Sequence, residues 1–458
     1  MLIVLVVATA HAAVSPLPMI WNDTFIGRDR PGQVAADQRI CRAQRRAYAS
    51  LFRKASIPDK TIHIVALGGS MVVGIDTRCG KACAYPAYFA RWLAARSAAS
   101  VELENRAAGG MTSATALPVL GSLVRPLHGQ NSPDLVLVDF GMNNAWSELT
   151  AADVFGATEA QLRVLLMRFP EIAVAVIQVN GGCAAAPCLD DAKAAAVARA
   201  CLHYGVPYLS YRRLLRPGTY GFEAWGGPEL VSRPHHPKSI LDRCPPHPPE
   251  SVHTRVATVV ALWWEGLEVR AAQWIPPRGG GWAVRQPSIA NSFGEACVDP
   301  LATYDAVLGH SRAPLGLDAS GWTVDQRRAD KRGWQATAVG AAISFPLEFG
   351  PNPHVMITYT KGYDRFGNVR VTIPPSNRSF VLSGCCRTES VTQEKLAIAR
   401  VGGNKFNDYY SDSSDGTVAF LDLGFQVPSF SSRELRLEIV SPTGHNRTTF
   451  RVNSVSSC

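Results

Sequence analysis

The chain has 458 residues, 47% of them hydrophobic and 18% charged, with a formal net charge of +9. That length exceeds what one compact core holds and predicts two domains of ordinary globular composition. The basic residues are scattered, as in Arg42-Ala-Gln-Arg45-Arg46, and they read as a solvated surface rather than an attraction to acidic polysaccharide. No aromatic-interleaved basic motif points to nucleic acid.

Leu2 to Ala10 is a short apolar stretch, followed by the small residues Ala10-His11-Ala12. The stretch is too short to span a bilayer, and residues 1–12 are expected to be a signal peptide. No later segment has the length of a transmembrane span. The eleven cysteines (Cys41, Cys79, Cys83, Cys183, Cys188, Cys201, Cys244, Cys297, Cys385, Cys386 and Cys458) then read as disulfide formers, with at least one left unpaired or one pairing between chains. Cys183 and Cys188 are spaced to close a small loop. Zinc is the weaker reading, because Cys79-x-x-x-Cys83 has no second close pair with histidines. Sequons at Asn22, Asn377 and Asn446 agree with a secretory route, and the expected location is extracellular or the secretory lumen.

Ile62-His-Ile-Val-Ala-Leu67 is an apolar, β-rich run that stops at Gly68-Gly69-Ser70. A hydroxyl on a tight glycine turn projects from the sheet edge with little bulk around it. Further strands are expected at residues 134–140 and 172–179 and at Val206-Pro-Tyr-Leu-Ser210. Helices are expected over residues 190–203 and 253–269. Strand–helix alternation from about residue 60 to about 270 predicts an α/β fold, a parallel sheet flanked by helices. On such a sheet ligands bind beyond the carboxyl ends of the strands, where Ser70, Gly110 and Asn143 would meet. Residues 213–249 are rich in Pro, Gly, His and aromatics and read as an irregular insertion roofing that edge. Pro276-Pro-Arg-Gly-Gly-Gly281 marks a linker. Short strands then recur at residues 341–347, 354–359, 368–373, 417–421, 435–439 and 450–452, predicting an antiparallel β-sandwich of jelly-roll type. The expected domains are residues 13–275, a linker over 276–294, and the sandwich over 295–458.

Four ordered blocks carry the chemistry: Gly68-Gly69-Ser70, Asn105 to Thr112, Gly141-Met-Asn143-Asn144, and Glu250-Ser-Val-His253. In that order, over residues 60–270, they resemble the SGNH (GDSL-type) serine esterases and lipases. The resemblance implies Ser70 as nucleophile, His253 as its base and Glu250 as the acid orienting it, with Asp242 as a second candidate acid. It implies an oxyanion hole of the Ser70 and Gly110 amides and the Asn143 side chain. This chain departs from the family at Gly69 and Glu250, where the family has aspartate, and at Asn144, where the family has an acid. His235, His236 and His247 compete as the base. Of these and His253, His253 is the one with an acid three residues earlier that also opens an apolar helix, through Val256, Val259, Val260 and Trp263.

The function expected is hydrolysis of an oxygen ester, an acetyl or other acyl group on a glycan or small molecule, needing no metal or organic cofactor. The alternatives are glycan O-acyltransfer at the same site and a noncatalytic glycan-binding or cell-surface protein. In each case the C-terminal domain is a candidate for carbohydrate contact.

Overall fold

The structure, a computed structural model, describes residues 40–75, 77–125, 132–147, 149–179, 191–211, 247–273, 302–306, 314, 320–325, 332–350, 353–361, 366–374, 379–384, 415–422, 431–440 and 448–457. The signal-like start, the three sequons, the expected linker, Cys183, Cys188, His235, His236 and Asp242 lie outside them. The described residues fall into two compact units. One takes those within 1–107, 124–146 and 165–286, the other those within 108–123, 147–164 and 287–458.

In chain order the first part runs α1 (Arg42–Ala55), β1 (Thr61–Gly68), α2 (Ser70–Val73), α3 (Tyr85–Arg96) and β2 (Ser100–Asn105). It continues with α4 (Ser113–Ala116), α5 (Leu120–Val124), β3 (Leu135–Asp139), α6 (Gly141–Trp146), α7 (Ala151–Arg168) and β4 (Ala173–Gln178). It closes with α8 (Asp191–Tyr204), β5 (Tyr208–Ser210) and α9 (Glu250–Ala271).

The first unit is built on a five-stranded parallel sheet in the order β2-β1-β3-β4-β5. Its central strands are apolar on both faces, as a parallel sheet covered on both sides requires. Ile62, Ile64 and Ala66 of β1, Leu135 and Leu137 of β3, and Ala173, Ala175 and Ile177 of β4 belong to one core with helical residues. Tyr48 and Leu51 of α1, Phe89 and Leu93 of α3, and Val256, Val260, Trp263 and Trp264 of α9 complete it. Trp264 meets Phe89 edge-on at 5.5 Å and Phe52 at 5.1 Å. Helix α9 buries Val252, Val256, Val259, Val260, Trp263 and Leu267, the spacing that a helix presents on one face. Arg96 at the end of α3 forks onto Glu265 at 2.7 Å and Glu268 at 2.9 Å of α9.

Helix α1 was not anticipated from the sequence. It packs through polar side chains as well as apolar ones: Gln44 donates to the Ile172 carbonyl at 2.9 Å and accepts the Val174 amide at 2.7 Å. Tyr48 donates to the Val174 carbonyl at 3.0 Å.

The second unit's strands are β6 (Ala302–Asp305), β7 (Thr323–Asp325), β8 (Gly333–Ala336), β9 (Ala342–Glu348) and β10 (His354–Lys361). They continue as β11 (Asn368–Thr372), β12 (Ser379–Ser383), β13 (Asp415–Asp422), β14 (Ser432–Val440) and β15 (Phe450–Ser457). All pair antiparallel, in one sheet ordered β13-β10-β15-β8-β7 with β6 also on β15, and another ordered β12-β11-β14-β9. Val355, Ile357, Trp334 and Val452 of the first sheet and Ile343, Phe345, Val369 and Leu437 of the second share one core. This is the expected sandwich. The six anticipated strands are present. β6, β7, β8 and β12 are additions whose short runs, such as Gly333-Trp-Gln-Ala336, carry too little alternation to announce a strand.

Candidate active site

Strand β1 ends where its neighbour comes closest. A Cβ on Gly68 would lie 2.3 Å from the Asp139 carbonyl oxygen and 2.4 Å from Val72 Cγ2, so only glycine fits. Gly69 then caps α2 with extended backbone, and Ser70 is the first residue of that helix. The serine therefore stands just past the carboxyl end of β1, with its amide among the helix-terminal N–H groups that have no intrahelical acceptor. It is 6% exposed, and its hydroxyl reaches Met142 Sδ at 4.0 Å. Gly74 ends the helix at φ 74°, where a Cβ would meet the Gly80 carbonyl at 2.6 Å. Cys79 and Cys83 form a disulfide in the turn that follows.

Asn105, at the end of β2, donates to the Val72 carbonyl at 2.6 Å and so ties down the back of α2. Its own carbonyl accepts Lys81 Nζ at 2.8 Å. Asn143 lies in α6, just past β3, half-buried. Gly110, grouped with the second unit, has φ 82° in a turn closed by the Met111 amide on the Ala108 carbonyl at 3.1 Å. Thr112 is explained as a cap: its hydroxyl accepts the Thr115 amide at 3.1 Å, while Thr115 Oγ1 accepts the Thr112 amide at 2.8 Å.

His253 lies one turn into α9 and is fully buried. Its Nδ1 accepts the Tyr85 amide at 3.3 Å, and its ring stacks on Tyr85 with centroids 6.4 Å apart. A neutral imidazole that accepts at Nδ1 carries its proton at Nε2, and Nε2 is buried without a hydrogen-bond partner among the described residues. Burial pushes the His253 pKa down to about 4, helped by the nearby charge of His247 and opposed by Glu250.

Glu250 does not take the place expected for it on His253. Its carboxylate accepts the Tyr88 hydroxyl at 2.5 Å and Arg78 Nη2 at 3.4 Å. The Tyr88 hydrogen bond, opposed by desolvation and then aided by Arg78, holds its pKa below the usual range. His247 stands at the approach to α9, ahead of Pro248 and Pro249, half-buried. The residues that the sequence did not flag are Tyr85, Tyr88, Arg78 and Asp139. Only Asp139 leaves a trace there, as an acid closing an apolar run.

Among the described residues no cluster of three or more His, Cys, Asp or Glu is placed to hold a metal. No helix among them is long and apolar enough to cross a membrane.

Residues 66–238 match the model of the GDSL-like Lipase/Acylhydrolase family. Comparison with curated proteins returns no match. Among solved structures, the chain is similar to a two-domain esterase active on acetylated mannans, at TM-score 0.58 and 15% identity over 92% of this chain and 96% of that one. A second structure of a two-domain esterase active on acetylated mannans, co-crystallized with mannopentaose, gives TM-score 0.59 and 16% identity over the same shares. At that identity the likeness is one of fold, a helix-flanked parallel sheet followed by antiparallel sheets. With a serine on a glycine turn at the carboxyl edge of its sheet and a family match over that same stretch, residues 66–238 carry a GDSL-like lipase/acylhydrolase domain.

Proposed function

We propose that this esterase removes acyl groups, acetyl above all, from a polysaccharide of the mannan type, with Ser70 as nucleophile. The observation that carries the reading is Ser70 itself, held by Gly68 and Gly69 at the first turn of α2 on the ligand-binding edge of a parallel sheet. The fold likeness to an esterase active on acetylated mannans supports the substrate class. A secretory route, which the sequons and the signal-like start support, suits a substrate outside the cell.

Attack by Ser70 on the ester carbonyl makes a tetrahedral oxyanion, which the Ser70 amide and the Asn143 side chain would stabilise; sequence order alone assigns the Gly110 amide as a further donor. Losing one such donor costs about 2.7–4 kcal/mol of transition-state stabilisation. Collapse of the intermediate expels the sugar hydroxyl, and water then releases the acid. The serine proton must pass to an imidazole, for which His253 and His247 are the candidates among the described residues, with His235 and His236 outside them. His253 serves only after its Nε2 proton has moved, since Nδ1 is engaged by Tyr85. His247, outside the buried core, meets no such constraint from the Tyr85 amide.

The test is covalent labelling of the full chain with a fluorophosphonate, followed by acetate release from acetylated polysaccharides. Ser70→Ala is expected to abolish labelling and lower hydrolysis of p-nitrophenyl acetate by at least 1000-fold, with the circular-dichroism spectrum unchanged. Full activity in that variant would remove Ser70 from the reaction. Comparing alanine variants of His253, His247, His236 and His235 then assigns the base to the position with the largest loss in kcat.

A further inference from the structure

Asp139, the last residue of β3, is buried and joins four pieces of the sheet edge. Its backbone carbonyl accepts the Gly69 amide at 3.3 Å, one residue before the nucleophile. Its Oδ1 accepts the amides of Gly141 at 3.1 Å, the first residue of the helix carrying Asn143, and of Val179 at 3.3 Å, just past β4. Its Oδ2 accepts the Tyr85 hydroxyl at 3.2 Å, and the Tyr85 amide holds His253 Nδ1. A buried carboxyl is costly unless its oxygens are all engaged, and here they are.

We propose that Asp139 is a positioning residue of the ester-cleaving site, fixing the Ser70 turn, the Asn143 helix and the Tyr85–His253 pair against one another. This rests on the reading of Ser70 as nucleophile. Asp139 touches no reacting atom; it acts through the amides and the phenol that it holds.

Two states of the carboxyl hold the edge differently. Ionised, it accepts from all three donors. Protonated at Oδ2, it donates to the Tyr85 oxygen, so the phenol must turn its own hydrogen elsewhere while Gly141 and Val179 stay bonded to Oδ1. Burial pushes this carboxyl up to about 7, opposed by those three donors, so the change falls near neutrality. Tyr85 of α3 is the titratable group bonded to it. Behind Tyr85 stands His253 of α9, which feels His247 and Glu250.

The experiment compares the full-length wild type with Asp139→Asn and Tyr85→Phe. Asp139→Asn is expected to lower kcat for p-nitrophenyl acetate at least tenfold with KM within twofold, and to slow fluorophosphonate labelling of Ser70 in parallel. Tyr85→Phe keeps both amide bonds. It is expected to lower kcat about threefold and to move the acid limb of the kcat–pH profile to higher pH, because the carboxylate loses a donor that favours its ionised form. A residue that only braced the fold would lower the melting temperature and leave kcat per labelled site and the pH profile as in wild type. That result in Asp139→Asn overturns the inference. If Asp139→Asn does not fold, Tyr85→Phe decides, and an unmoved acid limb with wild-type kcat overturns it. Wild type that labels, with Ser70→Ala inert, confines such a failure to Asp139. Wild type that neither labels nor hydrolyses overturns the Ser70 reading and this inference together.

Discussion

His253 and Asp139 oppose each other in how proton binding affects stability. The buried imidazole has its pKa lowered from 6.5 to about 4, so between those values the unfolded chain takes up a proton that the native one refuses. Stability from this group is complete above pH 6.5 and falls as the pH drops towards 4, by about 3 kcal/mol. Asp139 has its pKa raised from 3.8 to about 7, so over that range the native chain holds a proton that the unfolded one has lost. Its contribution falls as the pH rises through the same window, by about 4 kcal/mol. The slopes largely cancel between pH 4 and 6.5. Urea denaturation of His253→Gln should then show stability falling from pH 4.5 to 6.5, and Asp139→Asn should show it rising; equal slopes in the two variants would contradict the assignment. Neither environment was legible in the sequence. Tyr85 and Asp139 are 54 residues apart, and Tyr88 and Glu250 are 162 apart, so only the folded chain shows which donor each carboxylate meets. The turn that carries Ser70 was legible because the signal is local: an apolar strand, two glycines and a hydroxyl.

At the scale of elements, the join of β1 to α2 leaves no room for change. Gly68→Ala must push against a backbone carbonyl and a β-branched side chain at once, neither of which swings aside cheaply. The expected loss is about 2–3 kcal/mol in urea unfolding, with kcat reduced because the displaced strand end carries Ser70. A variant of wild-type stability would mean that β1 and β3 separate more easily than their register suggests. The strongly patterned elements, β1, β3, β4, α9 and the longer sandwich strands, stand where periodicity placed them to within a few residues. Those missed include β2, α3 and α7, for which the sequence reading gave no range, α1, whose seat depends on Gln44 and Tyr48 reaching β4 from far away in sequence, and the short strands β6, β7, β8 and β12, which pairing rather than pattern creates.

Across the whole molecule, the compact units interleave along the chain. The β-sandwich residues group with residues 108–123 and 147–164, which come from the middle of the α/β stretch. Those inserts are apolar: Ala114, Ala116, Leu117, Val119, Leu120 and Leu123 are buried. A fragment of residues 287–458 lacks them, and so is expected to bind the dye ANS and to melt less cooperatively than the full chain. A sharp melt without dye binding would show that the sandwich completes its core unaided.

The ring that Cys79 and Cys83 close spans only four positions, so severing it returns little freedom to the denatured chain, about 2 kcal/mol in the loop-entropy model. Yet the ring borders Arg78, which reaches Glu250, and encloses Lys81, which reaches Asn105. Opening this ring should therefore act as a local adjustment. Replacing both cysteines (Cys79→Ser with Cys83→Ser) is expected to lower the melting temperature by no more than a few degrees while changing KM more than kcat, and collapse of the whole fold in that variant would show that the small ring restrains far more than its own turn.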